Sequence, residues 1–281
     1  MPAININLFL VNGDPDGLRI ATIVNWDGKT FGAPRSELKQ LLTRQEMGWA
    51  GIYFLLGQDD KTGDLTAYIG VAKLVRNRLP NHGGKDWTHV IVFVSESLHE
   101  GYVKYLEGCV LEEAKKVARY KVTNDKGSGS PLQEHERANM DAFLSKIRLL
   151  LPILNCDILT PTRPKTAACQ KLIGTVKDVV AYGQRTPKGF VVFAGSRAVK
   201  EYRGSASPLM KAARDKLITE KKLVLRGNVY EFTKDCEFSS PTSAANPICG
   251  GYVNGMTFWK SENGETLRDL EVAALFDQLK A

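Results

Sequence analysis

The stretch GIYFLLGQDDKTGDLTAYIG, residues 51 to 70, constrains the fold more than any other segment. Two short runs of aliphatic and aromatic residues flank the polar loop GQDDKTGDL, and this spacing predicts an antiparallel hairpin. Side chains alternate across a strand, so Ile52, Phe54, Leu56, Ala67 and Ile69 share one face. Tyr53 and Tyr68 share the other, with Gly51 and Gly70 at the strand ends. The aliphatic face must be covered. The tyrosine face is expected to stay open, its glycines leaving room for a bulky group to approach the backbone.

Around this hairpin the periodicity predicts further elements. INLFLV (5 to 10) and LRIATIV (18 to 24) read as strands joined by an Asn-Gly-Asp-Pro-Asp-Gly turn. Leu38, Leu41 and Leu42 follow Pro34 at helical spacing, which predicts a helix of about three turns. A short basic helix is expected from Lys73, a buried strand over 89 to 95, and long helices over 98 to 119 and 132 to 151. In the C-terminal part, VVAYGQRTPKGFVVFAGS and KLVLRGNVYEFT read as hairpins. Helices are expected over 207 to 219, after Ser240-Pro241 and after Thr266. Two prolines among small residues in ILTPTRPKTAAC mark a linker.

Charge bears on partners. The 281 residues carry a formal net charge of +7, and between Arg163 and Asp235 there are 16 Lys/Arg against 6 Asp/Glu. A basic excess concentrated in one region fits a phosphate-bearing partner. No apolar run reaches the roughly 20 residues that cross a bilayer and no secretory signal is evident, so a cytoplasmic protein with no membrane contact is expected. Cys109, Cys156, Cys169, Cys236 and Cys249 are scattered without metal-ligand or disulfide spacing, which predicts idle thiols.

Glu107 falls within the first long helix with Val103, Val110 and Leu111 three and four residues away. A carboxylate in so apolar a stripe needs a cation or several donors. In order along the chain, Gly51-Ile52-Tyr53, Tyr68-Ile69-Gly70, Arg78, His82 and Glu107 resemble the GIY-YIG endonuclease module over about residues 50 to 125. Asn124 resembles that family's supporting polar residue. The resemblance implies Tyr53 as general base, Tyr68 and His82 positioning water or sharing its proton, and Arg78 clamping the scissile phosphate. It implies Glu107 holding one Mg²⁺ (or Mn²⁺), with Gly51, Gly70 and Asn124 supporting the site. Pro80 departs from the pattern, because proline disfavours helical geometry at Leu79 and is expected to turn His82 away from Arg78.

FSSPTSAANPICGGYVNGMTFWK (238 to 260) resembles a domain of unknown function that follows such modules, and is similar to small domains attached to restriction enzymes and adenine methylases. Asn254, Phe258 and Trp259 are then candidates for reading a base, and Lys73 and Arg76 for contacting DNA. The expected fold is α+β: an N-terminal extension of strands and a helix (1–48), a small antiparallel sheet flanked by helices (49–157), a linker (158–178) and a smaller α+β domain (179–281). The expected activity is Mg²⁺-dependent cleavage of DNA. The alternative is a DNA-binding module that cuts nothing and reads modified bases.

Overall fold

The computed structural model describes residues 3–84, 86–124, 127, 129–163 and 170–280. The protein is α+β, and the chain divides into two compact units, residues 1–160 and 161–281. Cys169 and part of the expected linker lie outside the described residues.

The first unit contains strands β1 (Ile6–Leu10), β2 (Arg19–Ile23), β3 (Lys29–Pro34), β4 (Gly51–Gln58), β5 (Leu65–Ala72), β6 (His89–Val94) and β7 (Lys121–Val122). Its helices are α1 (Leu38–Leu42), α2 (Val75–Arg78), α3 (Glu100–Val117) and α4 (Glu134–Ile153). The strands form one sheet in the order β1-β2-β3-β6-β4-β5-β7, antiparallel except for the β5–β7 pair. The central hairpin forms as its alternation predicts, with Tyr53 opposite Gly70 and Tyr68 opposite Leu55.

Both faces of this sheet are packed. Ile52, Phe54, Ala67 and Ile69 meet Val103, Leu106 and Val110 of α3 and Leu144 and Ile147 of α4. On the opposite face Tyr53 lies fully buried with Phe31, Leu41, Met47, Val75 and Trp87. The expectation of an open tyrosine face is therefore corrected at Tyr53, whereas Tyr68 stays half-buried, and the glycines show why. A Cβ on Gly70 would sit 2.5 Å from the Tyr53 hydroxyl, and one on Gly51 would sit 2.4 Å from the Phe93 carbonyl oxygen. The space that these glycines leave is filled by the protein itself.

Two further expectations change. Residues 1–48 are not an extension, because β3 pairs along β6 from Lys29–Val94 to Pro34–His89 and joins β1 and β2 to the central sheet. Gly32 and Pro34 concealed β3, since both residues are depleted in strands. The helix expected after Pro34 stops at Leu42, because Arg44 is extended (φ −68°, ψ 141°) and a 3-10 turn, Gln45–Gly48, follows.

The second unit holds β8 (Leu172–Val176), β9 (Val179–Thr186), β10 (Gly189–Val192), β11 (Arg197–Val199), β12 (Leu223–Arg226), β13 (Val229–Phe232) and β14 (Cys236–Phe238). Its helices are α5 (Pro208–Thr219), α6 (Pro241–Cys249), α7 (Gly255–Phe258) and α8 (Leu267–Lys280). Two small sheets form, β14-β10-β9-β8 and β11-β13-β12. The expected linker, 158–178, ends earlier than its composition suggested, because β8 pairs with β9 and Leu172 and Val176 enter the core. A capping box between Ser240 and Ser243, with Pro241 in the first turn, opens α6. None of the helices among the described residues is long and apolar enough to cross a membrane.

Candidate active site

Five of the residues singled out in the first unit form one cluster about the Tyr53 phenol. Tyr53 comes from β4, Tyr68 from β5, Arg78 from the end of α2, His82 from the 3-10 turn Leu79–His82, and Glu107 from α3. The Tyr53 hydroxyl lies 2.8 Å from His82 Nε2. Ring centroids are 6.4 Å apart for Tyr53 and Tyr68, and 4.8 Å apart for Tyr68 and His82. The Arg78 guanidinium is close enough to both phenols for its charge to act on them.

Pro80 does not take Leu79 out of helical geometry as expected (φ −58°, ψ −42°). α2 passes directly into a 3-10 turn with Pro80 at its start, and this turn brings His82 to Tyr53, where the histidine is 3 % exposed. Sequence reasoning missed the residues that fix this turn. The Trp87 indole donates to the His82 carbonyl (3.1 Å), and Arg35 donates to the carbonyls of Gly83 (2.6 Å) and Trp87 (3.3 Å). The Arg35 guanidinium also stacks 4.8 Å from the Trp87 ring. Arg35 lies 47 residues before His82, so no local spacing signals the pairing.

Electrostatics at the phenol oppose one another. Burial pushes the Tyr53 hydroxyl well above its ordinary pKa, the neighbouring Tyr68 adds to the rise, Arg78 opposes it, and Glu107 raises it further. Tyr53 is therefore a protonated group at neutral pH and, taken alone, a hydrogen-bond donor. Glu107 is nine-tenths buried in the apolar stripe of α3 and close enough for its charge to act on Tyr53.

Asn124 has a definite task. Its side-chain amide donates to the Ile69 carbonyl (2.7 Å) and accepts from the Ile69 N–H (3.1 Å), which extends the pairing of β5 past β7 and holds the backbone between Tyr68 and Gly70. A cavity of about 590 Å³ opens beside Tyr68 between Trp87, Thr66 and Thr123, and Asp59, Asp60 and Asp86 also line it. Its acidity disfavours phosphate there, so the anion-attracting side of the cluster is that of Arg78.

The remaining candidates do not join this cluster. Lys73 pairs with Glu100 at 2.6 Å, and Arg76 donates to the carbonyls of Arg44 (3.0 Å) and Gln45 (3.4 Å), tying down the turn before β4. In the second unit Trp259 is 0 % exposed, stacks on Phe190 at 4.4 Å and donates to the Pro241 carbonyl (3.0 Å). It is a core residue and cannot stack on a base. Phe258 packs edge-on to Trp259 at 5.1 Å. Asn254 caps α7 by accepting the Met256 N–H (2.9 Å), and its exposed amide is the remaining base-reading candidate of the three.

No cluster of three or more His, Cys, Asp or Glu side chains able to hold a metal ion occurs among the described residues. A single carboxylate such as Glu107 suits a cation that keeps most of its waters, as Mg²⁺ does, and not one that needs a closed protein cage. No curated protein and no solved structure matches the chain. Residues 172–271, from the start of β8 into α8, match a family model described as a domain of unknown function, DUF4357.

Proposed function

We propose that the first unit is the catalytic module of a Mg²⁺- or Mn²⁺-dependent endonuclease of the GIY-YIG type, which hydrolyses phosphodiester bonds in DNA, and that the basic second unit engages the nucleic acid. The observation that carries this reading is the contact between Tyr53 and His82, 2.8 Å long, under the combined influence of Arg78, Tyr68 and Glu107.

In this mechanism Arg78 binds the scissile phosphate and neutralises charge that grows on its oxygens, a task that suits a planar guanidinium better than an ammonium. Tyr53 takes a proton from the attacking water as its own proton passes to His82 Nε2, so no free phenolate has to persist in a buried site. Tyr68 orients the water and Glu107 would hold the cation. Bound there, the cation supplies Lewis-acid neutralisation of the phosphate and of the departing oxygen. Asn124, Arg35 and Trp87 keep the strand and the turn in register.

The test is incubation of purified protein with supercoiled plasmid. Nicking is expected with Mg²⁺, and not with EDTA or with Glu107→Ala whose circular dichroism matches the wild type. Metal-dependent nicking that persists in Glu107→Ala would refute the assignment. A second reading, a non-cleaving DNA-binding module, is favoured by the raised pKa of Tyr53. DNA binding that survives EDTA, with no cleavage of plain or methylated DNA, would establish it.

A further inference from the structure

Among the described residues Arg19 and Arg214 are the buried arginines, and their surroundings differ. Arg214, in the second unit, lies between the rings of Tyr202 (4.9 Å) and Tyr230 (4.8 Å) and donates to the Val199 carbonyl. Two aromatic faces and a carbonyl offset part of its charge, although its Nε and Nη1 are enclosed without an acceptor. Arg19, on β2 of the first unit, is 8 % exposed, and among the described residues neither a carboxylate nor an aromatic ring pairs with its guanidinium. Its Nε is sealed from solvent with no acceptor.

Only Nε is sealed, and a charge so largely removed from solvent weakens a domain unless something compensates it. Arg19 lines a cavity of about 330 Å³ whose wall also includes Leu56, Ile91 and Leu154 together with Tyr120 and Asn155. That volume falls in the lower range of small-molecule sites, and the wall is mixed, with Gln58, Thr88 and His89 beside the apolar residues. Asp16 lines the cavity too, but it is exposed and forms no ion pair with Arg19. Alternation places Arg19 on the same sheet face as Ala21 and Ile23, whereas Tyr53 faces the other way. None of Tyr53, Tyr68, Arg78, His82 and Glu107 lines this cavity.

We propose that the Arg19 cavity binds a small organic anion, a carboxylate or phosphate monoester on an apolar body. Its charged oxygens pair with the guanidinium fork, and its body rests against Leu56, Ile91 and Leu154. The site is separate from the proposed nuclease centre and does not depend on that assignment.

The test is thermal unfolding of the full chain at fixed ionic strength, titrated with benzoate and with phenyl phosphate, and with uncharged benzamide as control. Saturable stabilisation by at least one of the two anions, and none by benzamide, is the expected result. Arg19→Met should bind that anion at least about tenfold more weakly, the value of one lost charge-assisted hydrogen bond. Without ligand, it should be no less stable than the wild type, because an unpaired charge has been replaced by an apolar chain of similar length. Arg19→Lys keeps the charge without the fork and should bind with intermediate affinity, which supplies the test should Arg19→Met fail to fold. Absence of saturable stabilisation by both anions, or equal affinity in the Arg19 variants, overturns the proposal.

Discussion

Tyr53→Phe removes a single oxygen atom from the middle of the first unit, which makes it the most exacting perturbation of the candidate site. The hydroxyl is fully enclosed and meets His82 Nε2 at 2.8 Å in a pocket where the imidazole is 3 % exposed. Water cannot replace the lost partner. Deleting one side of such a buried hydrogen bond costs about 1–3 kcal/mol, and at roughly 2–4 °C per kcal/mol for a unit of this size the melting temperature should fall by about 2–12 °C. Removing both partners in Tyr53→Phe/His82→Leu should cost less than the two single substitutions added together. The coupling expected for side chains in contact is about 0.5–3 kcal/mol. Melts followed by circular dichroism at pH 7 supply all four corners of the cycle. Under the proposed mechanism, plasmid nicking by Tyr53→Phe should fall by about 10²–10⁴-fold. Singles that add with no coupling would refute the contact, and nicking at the wild-type rate would refute the role.

Three other outcomes are expected. Gly70→Ala places a methyl 2.5 Å from the Tyr53 hydroxyl and 2.6 Å from its ring carbon, so it should destabilise by about 1–3 kcal/mol and depress nicking as Tyr53→Phe does; an unchanged melt would show that the ring has room to move. Trp259→Ala should destabilise the second unit by about 3–5 kcal/mol in urea, whereas a loss of DNA affinity with no change in stability would restore the base-stacking role denied to it here. Burial pushes the thiol of Cys156 up to about 12 and those of Cys236 and Cys249 up to about 11. Because the unfolded chain releases these protons from about pH 8.5 while the folded one retains them, stability should decline as pH rises above that value, by about 1.4 kcal/mol per unit for each thiol. Cys156→Ala should flatten the decline by the share of one proton, and a slope it leaves unchanged rejects the argument.

The elements that were legible are those written in short-range chemistry. Alternation over Gly51–Gly70 predicted β4 and β5 and the face on which each side chain lies. Ser240-Pro241 predicted the start of α6, and the apolar stripe around Glu107 predicted α3. β3 was hidden because Gly32 and Pro34 oppose strand formation locally, and its partner, β6, lies about 60 residues away. Trp259 misled for a related reason. Its local surroundings, with Asn254 and Phe258, are those of an exposed reading loop, but Phe190 and the Pro241 carbonyl close around it from distant parts of the chain.

Sequence by itself determined the hairpin, the separation of the two tyrosines from the aliphatic face, and the set of residues to inspect. Tertiary structure alone decided what fills the gap beside Gly70, that His82 returns to Tyr53 through a proline-started turn held by Arg35 and Trp87, and that Arg19 is enclosed without a partner. The physical reason is range. Backbone preference and alternation act over a few residues and survive in the sequence pattern, whereas enclosure and charge compensation depend on atoms brought together by folding, whose separation along the chain carries no signal.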